Sequence, residues 1–236
     1  MDRGRSPIGS SARISRRCDI DSTESARTTT DVLASWVALW QPEDPPLAAA
    51  RARAAEVGVP CVDAVTGAAL RLLAATTGAR AVVELGTGAG VSSLWLLQGM
   101  RPDGVLTSVD PEGEHQRLAR TSLLEAGHGS SRVRLIAGRA LDVLPRLSDR
   151  AYDLVFCDAE SSENPDYLEA ALRLLRPGGV VVFAGALGSG RVGDPSARDS
   201  DTVALRELAR LVRDEPRLVA ALLPVGDGIL AAVLLD

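Results

Sequence analysis

The chain has 236 residues, a formal net charge of -5 and 46% apolar residues. This length fits one α/β domain with extensions and allows a sizeable buried core. The negative charge gives no electrostatic reason to expect a nucleic-acid partner, so a small-molecule ligand is favoured. No run approaches the roughly 18 consecutive apolar residues that a membrane span requires. We therefore predict a cytoplasmic protein with no membrane partner.

The first thirty residues differ in composition from the rest of the chain. Arginines lie there among serine, glycine and proline, with almost no periodic apolar signal. We predict residues 1–30 to be a disordered basic tail. The three cysteines, Cys18, Cys61 and Cys157, are far apart and include no C-x-x-C pair, which favours reduced thiols over a disulfide framework or a zinc site.

Residues 31–80 are helical by pattern. Pro42, Pro45 and Pro46 are predicted to separate a short helix from two longer ones. The short helix carries Trp36 and Trp40, which stand four residues apart and so share a face. This pair indicates core packing or a subunit contact.

From Ala81 onward, strand and helix patterns alternate with short connections. Amphipathic helices are predicted to begin near Val91, Glu112, Arg139 and Glu163. The turn at residues 176–179 is predicted to end the fourth of these helices. The strands between them are predicted over residues 81–85, 105–110, 133–138, 152–158 and 179–184. This rhythm predicts a doubly wound, mostly parallel sheet.

The last forty residues break that rhythm. A helix near residues 202–213 is followed by LVAALLPV, a Gly-Asp-Gly turn at residues 226–228, and ILAAVLL. The two apolar runs are too close together for a crossover helix, so they are predicted to pair as an antiparallel hairpin.

Residues 81–90 read AVVELGTGAG and carry the main functional signal. The three alternating glycines remove the Cβ atoms that would block close approach of the backbone to a ligand. The dinucleotide fingerprint is G-x-G-x-x-G, whereas the spacing here is G-x-G-x-G and Glu84 lies just upstream. A carboxylate repels pyrophosphate and suits a cation, which favours S-adenosylmethionine (SAM), with its ammonium and sulfonium groups. An ordinary strand-to-helix turn is the competing interpretation.

Three further acids follow predicted strands. Asp110 ends the second strand, where a carboxylate can accept both ribose hydroxyls of a cofactor. Its alternative role is to open the turn at Pro111. Asp158 and Glu160 follow the fourth strand, where the carboxyl ends of a parallel sheet form the ligand crevice. The histidines His115 and His128 are predicted to be surface residues away from this crevice.

From about Asp31 to its end, the chain resembles small bacterial O-methyltransferases related to catechol and caffeoyl-CoA O-methyltransferases. The matching stretches are ELGTGAG (84–90), SVDPEGEHQRLAR (108–120), RLIAGRALDVLPRL (134–147), YDLVFCDAE (152–160), YLEAALRLLRPGGVVVF (167–183) and LLPVGDGILAAV (222–233). The resemblance implies a Rossmann-like class I methyltransferase domain over residues 31–236, with N-terminal helices in 31–80 and the α/β core in 81–236. It also implies a homodimer and transfer of a methyl group from SAM to a hydroxyl, often on an aromatic ring.

The resemblance also implies a set of cofactor contacts. Glu84, Gly86 and Thr87 line the methionine and ribose end, and Ser92 contacts the carboxylate. Val62 approaches from the preceding helix, and Ala140 belongs to the segment that closes over the adenine. The full set of implied cofactor residues is Val62, Glu84, Gly86, Thr87, Ser92, Asp110, Pro111, Ala140, Asp158 and Glu160.

The metal ligands of the family are not reproduced. Metal-dependent relatives show D-A-D-K after the fourth strand and D-N after the fifth, whereas this chain has DAES at residues 158–161 and Ala-Gly at 184–185. Two of three ligands and the lysine are missing, so we predict no requirement for a divalent metal. Residues 185–191 are glycine-rich where relatives carry an aromatic residue, which predicts a wider or more mobile acceptor pocket.

Asp158 is the predicted catalytic residue, because a carboxylate within reach of an acceptor hydroxyl can take its proton or orient it. Its competing role is to cap the following turn. The leading function is a SAM-dependent O-methyltransferase that acts on a small acceptor without metal. The alternatives are a catalytically silent SAM-binding protein and a nicotinamide-dependent oxidoreductase on a Rossmann sheet.

Overall fold

The structure is a computed structural model that describes residues 36–37 and 39–236. The predicted basic tail, residues 1–30, lies outside the described residues. Residues 41–236 form one compact unit, and the described residues 36, 37, 39 and 40 belong to a separate one. Within that separate unit, Trp36 and Trp40 are helical and their rings stack with centroids 5.9 Å apart. The predicted shared face of this pair is confirmed.

A seven-stranded mixed sheet forms the centre of the compact unit, in the order β3-β2-β1-β4-β5-β7-β6. Strands β1 to β5 are parallel, and β7 pairs antiparallel with both β5 and β6. The strands are β1 Ala81–Leu85, β2 Val105–Asp110, β3 Val133–Ala137, β4 Tyr152–Cys157, β5 Leu175–Ala184, β6 Leu218–Leu223 and β7 Ile229–Leu234. The predicted parallel sheet with an antiparallel C-terminal hairpin is confirmed.

Seven α-helices of the compact unit cover both faces of the sheet. They are α1 Pro45–Glu56, α2 Ala64–Thr76, α3 Val91–Gly99, α4 Gly113–Glu125, α5 Ala140–Val143, α6 Asn164–Leu174 and α7 Ser200–Asp214. Helices α1 to α4 pack over a core that includes Trp95 and Phe156. Helices α5 to α7 pack over a second core that includes Tyr167 and Phe183. Within the described residues, no helix has the length and apolar character needed to cross a membrane.

Aspartates begin three of these helices. Asp44, Asp63 and Asp199 each precede a helix and accept a hydrogen bond from a backbone amide in its first turn, at 3.1, 2.6 and 3.0 Å. Pro45 and Pro46 form the first turn of α1, where a missing amide hydrogen costs nothing. These two prolines therefore start a helix. The predicted break between the short Trp-bearing helix and the next one is confirmed, with Pro42 in the break and Pro45 and Pro46 opening α1.

Strand β5 begins four residues earlier than predicted. Tyr152 pairs with Leu175 and Leu154 with Val180, so residues 176–179 form a bulge inside the strand and not a turn before it. The bulge is held by Arg176, whose Nε donates to Asp153 Oδ1 at 2.5 Å. Asp153 also accepts from the backbone amide of Ala81 at 2.8 Å. The same carboxylate thus ties the start of β1 to the start of β5.

Strand periodicity decides where the side chain of Glu84 points. Val83 and Leu85 belong to the second core and Val82 to the first, so Glu84 faces the side of the sheet covered by α3. Its register partner on β2 is Ser108. The carboxyl ends of β1, β2 and β4 therefore meet at one edge of the sheet, and they bring the predicted site residues together.

Candidate active site

A groove lies at the carboxyl ends of β1, β2 and β4. Five predicted site residues line it, together with residues of the loop before α2 and one histidine. The lining residues are Val59, Pro60, Cys61, Gly86, Thr87, Gly88, Ala89, Val91, Ser92, Asp110, His115 and Asp158. A larger hollow lies between α7 and the C-terminal hairpin, but none of the predicted site residues lines it. We therefore assign the site to the groove.

The glycine loop between β1 and α3 needs glycine for two separate reasons. Gly86 has a φ of +92°, and a Cβ there would lie 2.1 Å from the backbone oxygen of Asp158. Gly90 precedes α3 with a φ of +89°, and its Cβ would lie 3.2 Å from Cα of Ala119 on α4. A side chain at the first position would collide with a groove wall, and one at the second would push α3 away from α4.

Asp110 holds the glycine loop against β2. Its Oδ2 accepts from the backbone amides of Thr87 and Gly88, both at 3.0 Å. Its Oδ1 accepts from the amide of Glu112 at 2.9 Å, the contact expected of an aspartate that opens a turn. The predicted turn-opening role of Asp110 is therefore confirmed. Asp110 also lines the groove, and its predicted contact with the ribose stays a prediction.

His115 lies in the groove, and our prediction that it is a surface residue away from the site is wrong. Its Nδ1 is 3.2 Å from Oδ1 of Asp110. The reason is that α4 starts directly after β2, so its first turn stands at the same sheet edge as the glycine loop. The loop residues Val59, Pro60 and Cys61 were also missed, because they precede α2 and carry no local motif.

Glu84 lies beneath the glycine loop and exposes none of its surface. Ser93 and Ser108 donate to its Oε2, the second at 2.5 Å, and its Oε1 has no hydrogen-bond partner. Burial raises the pKa of this carboxyl to about 7, although the serine hydroxyls act in the opposite direction. Glu84 thus supports the loop from below, with no surface of its own in the groove.

The polar network around Glu84 extends to α4. Thr87 Oγ1 is 2.6 Å from Ser108 Oγ, and Gln116 Nε2 donates to Thr87 Oγ1 at 3.1 Å. These contacts fix the side chain of Thr87 against β2, so its backbone amide is free to meet Asp110. The loop conformation is therefore determined by side chains from β2 and α4 as well as by its own glycines.

Asp158 follows β4 and lies beside the glycine loop. Its backbone amide donates to the carbonyl of Leu85 at 2.8 Å, which continues the β1–β4 pairing by one residue. Asp158 is exposed to the groove. Neighbouring protein atoms still desolvate its carboxyl, and this raises its pKa to about 6. A carboxylate with this pKa is mostly ionised at neutral pH and still basic enough to accept a proton.

Besides Glu84, four residues that the resemblance implied do not line the groove. Val62 lies in the loop before α2 and not in a helix, and its side chain packs in the first core. Ala140 starts α5 and packs in the second core, while Pro111 is exposed. Glu160 is exposed as well and accepts from Ser162 Oγ at 3.3 Å. Their predicted cofactor contacts stay predictions.

The donor set at the groove does not fit a magnesium site. Across the described ranges, 36–37 and 39–236, no three His, Cys, Asp or Glu side chains are grouped so that they could hold a metal ion. Asp158 contributes one carboxylate, and Ala184 and Gly185 contribute no side-chain oxygen. A divalent ion held by protein needs more oxygen ligands than one carboxylate supplies.

The glycine-rich loop after β5 is tied to the hairpin turn. The amides of Ala186 and Leu187 donate to the carbonyls of Gly228 and Asp227, at 3.1 and 2.9 Å. The amide of Ser189 donates to Asp227 Oδ1 at 2.5 Å, which holds Ser189 at a φ of +53°. The loop for which a wider or more mobile acceptor pocket was predicted is thus joined by hydrogen bonds to the hairpin turn before β7.

The family model described as O-methyltransferase matches residues 49–234. The chain belongs to the O-methyltransferase family. A relative from Mycobacterium bovis, also named as an O-methyltransferase, is 57% identical to this chain over 191 residues. The match covers 81% of this chain and 85% of the relative. This membership confirms the predicted resemblance and favours methyl transfer over the nicotinamide-dependent alternative.

Solved structures agree with this assignment. A protein from Corynebacterium glutamicum is 36% identical with a TM-score of 0.83, over 88% of this O-methyltransferase and 98% of that chain. The O-methyltransferase TomG from Streptomyces achromogenes, solved in complex with SAM, is 31% identical with a TM-score of 0.79, over 92% and 100% of the two chains. An O-methyltransferase from Bacillus cereus, solved with S-adenosylhomocysteine (SAH), is 30% identical with a TM-score of 0.76. The match covers 89% of this chain and 97% of the Bacillus cereus chain.

Proposed function

We propose that this O-methyltransferase transfers the methyl group of SAM to a hydroxyl of a small aromatic acceptor and needs no divalent metal. The observation that carries the proposal is the groove where the glycine loop, Asp110 and Asp158 meet at the strand ends. Relatives of at least 30% identity bind SAM or SAH on the same fold, which supports a cofactor at this edge of the sheet.

The chemistry of the groove suits a cationic cofactor. Its side chains include the carboxylates of Asp110 and Asp158, and the buried carboxyl of Glu84 lies below with an unpartnered oxygen. The absence of a Cβ at Gly86 lets the backbone of Asp158 lie directly against the glycine loop. Ser92 and the N-terminus of α3 would meet the carboxylate of the cofactor, since free helix amides attract anions. Asp110 would hold the ribose.

Asp158 would act as the base. When bound, the cofactor supplies an electrophilic methyl group at the groove. The Asp158 carboxylate would take the proton of the acceptor hydroxyl as that oxygen bonds to the methyl carbon. The O–H bond and the methyl–sulfur bond of the cofactor both break, which leaves the methylated acceptor, SAH and a proton on Asp158. The walls of the groove orient the acceptor and exclude water, which supplies much of the acceleration for an in-line displacement.

We expect turnover of catechols or flavonoids that is unchanged, within about twofold, by a chelator such as EDTA or by added magnesium. The physical reason is that Asp158 supplies a carboxylate at only one of the three positions where metal-dependent relatives carry oxygen ligands. The measurement is methylated product by mass spectrometry, with and without each addition. Turnover that magnesium stimulates and EDTA abolishes would contradict the proposal.

The catalytically silent alternative has one observation in its favour, because the lysine that helps to ionise the acceptor in metal-dependent relatives is replaced by Ser161. Against it stands Asp158, whose raised pKa suits a base. Tight binding of SAH with no methylated product across the same acceptors would favour the silent protein.

We further propose a homodimer that works in the cytoplasm. The apolar side chains that β6 exposes, Val219, Leu222 and Leu223, support self-association, since an exposed apolar edge strand favours pairing. The free thiols Cys61 and Cys157 fit a reducing compartment. Sedimentation velocity that gives only the mass of a single chain would contradict the dimer.

A further inference from the structure

The carboxyl of Glu84 is sealed inside the protein without a cationic partner. Its relative exposure is 0%, and its hydrogen bonds come from the neutral hydroxyls of Ser93 on α3 and Ser108 on β2. The Ser92 hydroxyl, also on α3, is close enough to affect it. The charged group that faces it is Asp158, after β4, which has the same sign. Within the described chain, Glu84 therefore has no ion pair.

Such a carboxyl has two ways to avoid the cost of a buried, unpaired charge. It can keep its proton, or it can ionise when a cation comes close. In the protein alone, burial and the Asp158 carboxylate both favour the protonated form and raise the pKa of Glu84 to about 7. A cation in the groove would reverse this preference, because Ser92, which lines the groove, is also close enough to Glu84 to affect its carboxyl.

We propose that Glu84 exchanges its proton for the positive charge of the cofactor. The carboxyl is protonated in the free enzyme, and it ionises and releases its proton to solvent when SAM binds. No other bond changes in this exchange. The inference rests on the proposed function, because it requires the cofactor to lie in this groove.

The exchange makes the enzyme distinguish the methyl donor from its product. SAM carries a sulfonium charge that SAH lacks, so SAM favours ionised Glu84 more strongly than SAH does. As the pH rises, the proton is lost from the free enzyme as well, and SAM binding no longer has to expel it. The affinity for SAM relative to SAH is therefore expected to rise about tenfold between pH 6 and pH 8.

Calorimetry measures the exchange without any turnover. SAM and SAH are titrated at pH 6, 7 and 8 in buffers of different ionisation enthalpy, which gives the number of protons released on binding. We expect wild type at pH 7 to release up to about 0.5 proton more with SAM than Glu84→Gln does, because half of the Glu84 carboxyls are protonated there. The amino group of each ligand titrates equally with both proteins and so cancels in this comparison.

A matched control is Glu169→Gln on α6, which changes an exposed carboxyl outside the groove. It should release protons as wild type does. Should Glu84→Gln fail to fold, Ser108→Ala serves in its place, because loss of this hydroxyl donor disfavours the ionised carboxyl. That variant should shift the pH of half-maximal release upward.

The outcomes distinguish a failure of the proposed cofactor site from a failure of the proposed proton exchange. If wild type binds neither SAM nor SAH, the proposed cofactor site itself is wrong. If wild type binds both ligands but releases the same number of protons as Glu84→Gln, the site stands and the exchange is overturned. An unchanged half-release pH in Ser108→Ala would overturn the exchange as well.

Discussion

Replacing Asp158 with asparagine is expected to lower kcat by about 10²- to 10⁴-fold, the usual contribution of a general base. Asparagine has a similar shape but cannot take the proton of the acceptor hydroxyl. Turnover is measured at saturating SAM, so a weaker cofactor affinity does not contribute to the loss. Asp166→Asn, an exposed carboxyl on α6, is the matched control and should keep the activity of wild type.

The pH profile supplies a second readout for the same residue. Only ionised Asp158 can act as the base, so kcat/KM for the acceptor should rise as the carboxyl loses its proton. The pKa of about 6 in the free protein sets the upper limit of this rise, since a bound cation favours the ionised form. Asp158→Asn should lack the rise. Wild-type-like kcat in this variant would rule out Asp158 as the base.

Replacing Gly86 with alanine is expected to weaken SAH binding by about 100-fold and to lower the free energy of unfolding by about 2–4 kcal/mol. The added Cβ would lie 2.1 Å from the backbone oxygen of Asp158, and the φ of +92° is strained for any side chain. The loop must therefore move, and it takes with it the amides that meet Asp110. Calorimetry and urea unfolding measure the two effects.

Gly113→Ala provides the matched control for this substitution. Gly113 starts α4, and a Cβ there would meet no atom within 4 Å. Its alanine variant should bind SAH as wild type does and be slightly more stable, because alanine favours the helix. If Gly86→Ala bound SAH with unchanged affinity, the glycine loop would not be the cofactor loop.

The sheet could be predicted from sequence because apolar runs and glycine turns alternate regularly along the chain. Strands β1 and β2 begin and end at the predicted residues. The start of β5 could not be predicted in this way. Arg176-Pro177-Gly178-Gly179 has the composition of a helix-ending turn, and only the pairing with β4 and the distant Asp153 makes it a bulge within the strand.

The predicted site residues that do line the groove are mostly those whose positions are set by the ends of the strands. Gly86, Thr87, Asp110 and Asp158 are fixed by strand ends, so their meeting follows from the topology. His115 was missed because a histidine in a helix gives no local signal, although its place in the first turn after β2 could have located it. The burial of Glu84 depends on α3 and β2 packing over it, which no spacing in the sequence reveals.

A crystal structure grown with SAH would show where the cofactor binds, because the proposed function requires it to lie in the groove at the carboxyl ends of β1, β2 and β4. We predict SAH between the glycine loop and Asp158, with its ribose at Asp110 and its sulfur above Glu84. A structure in which that groove is empty, or in which SAH lies elsewhere, would contradict the account.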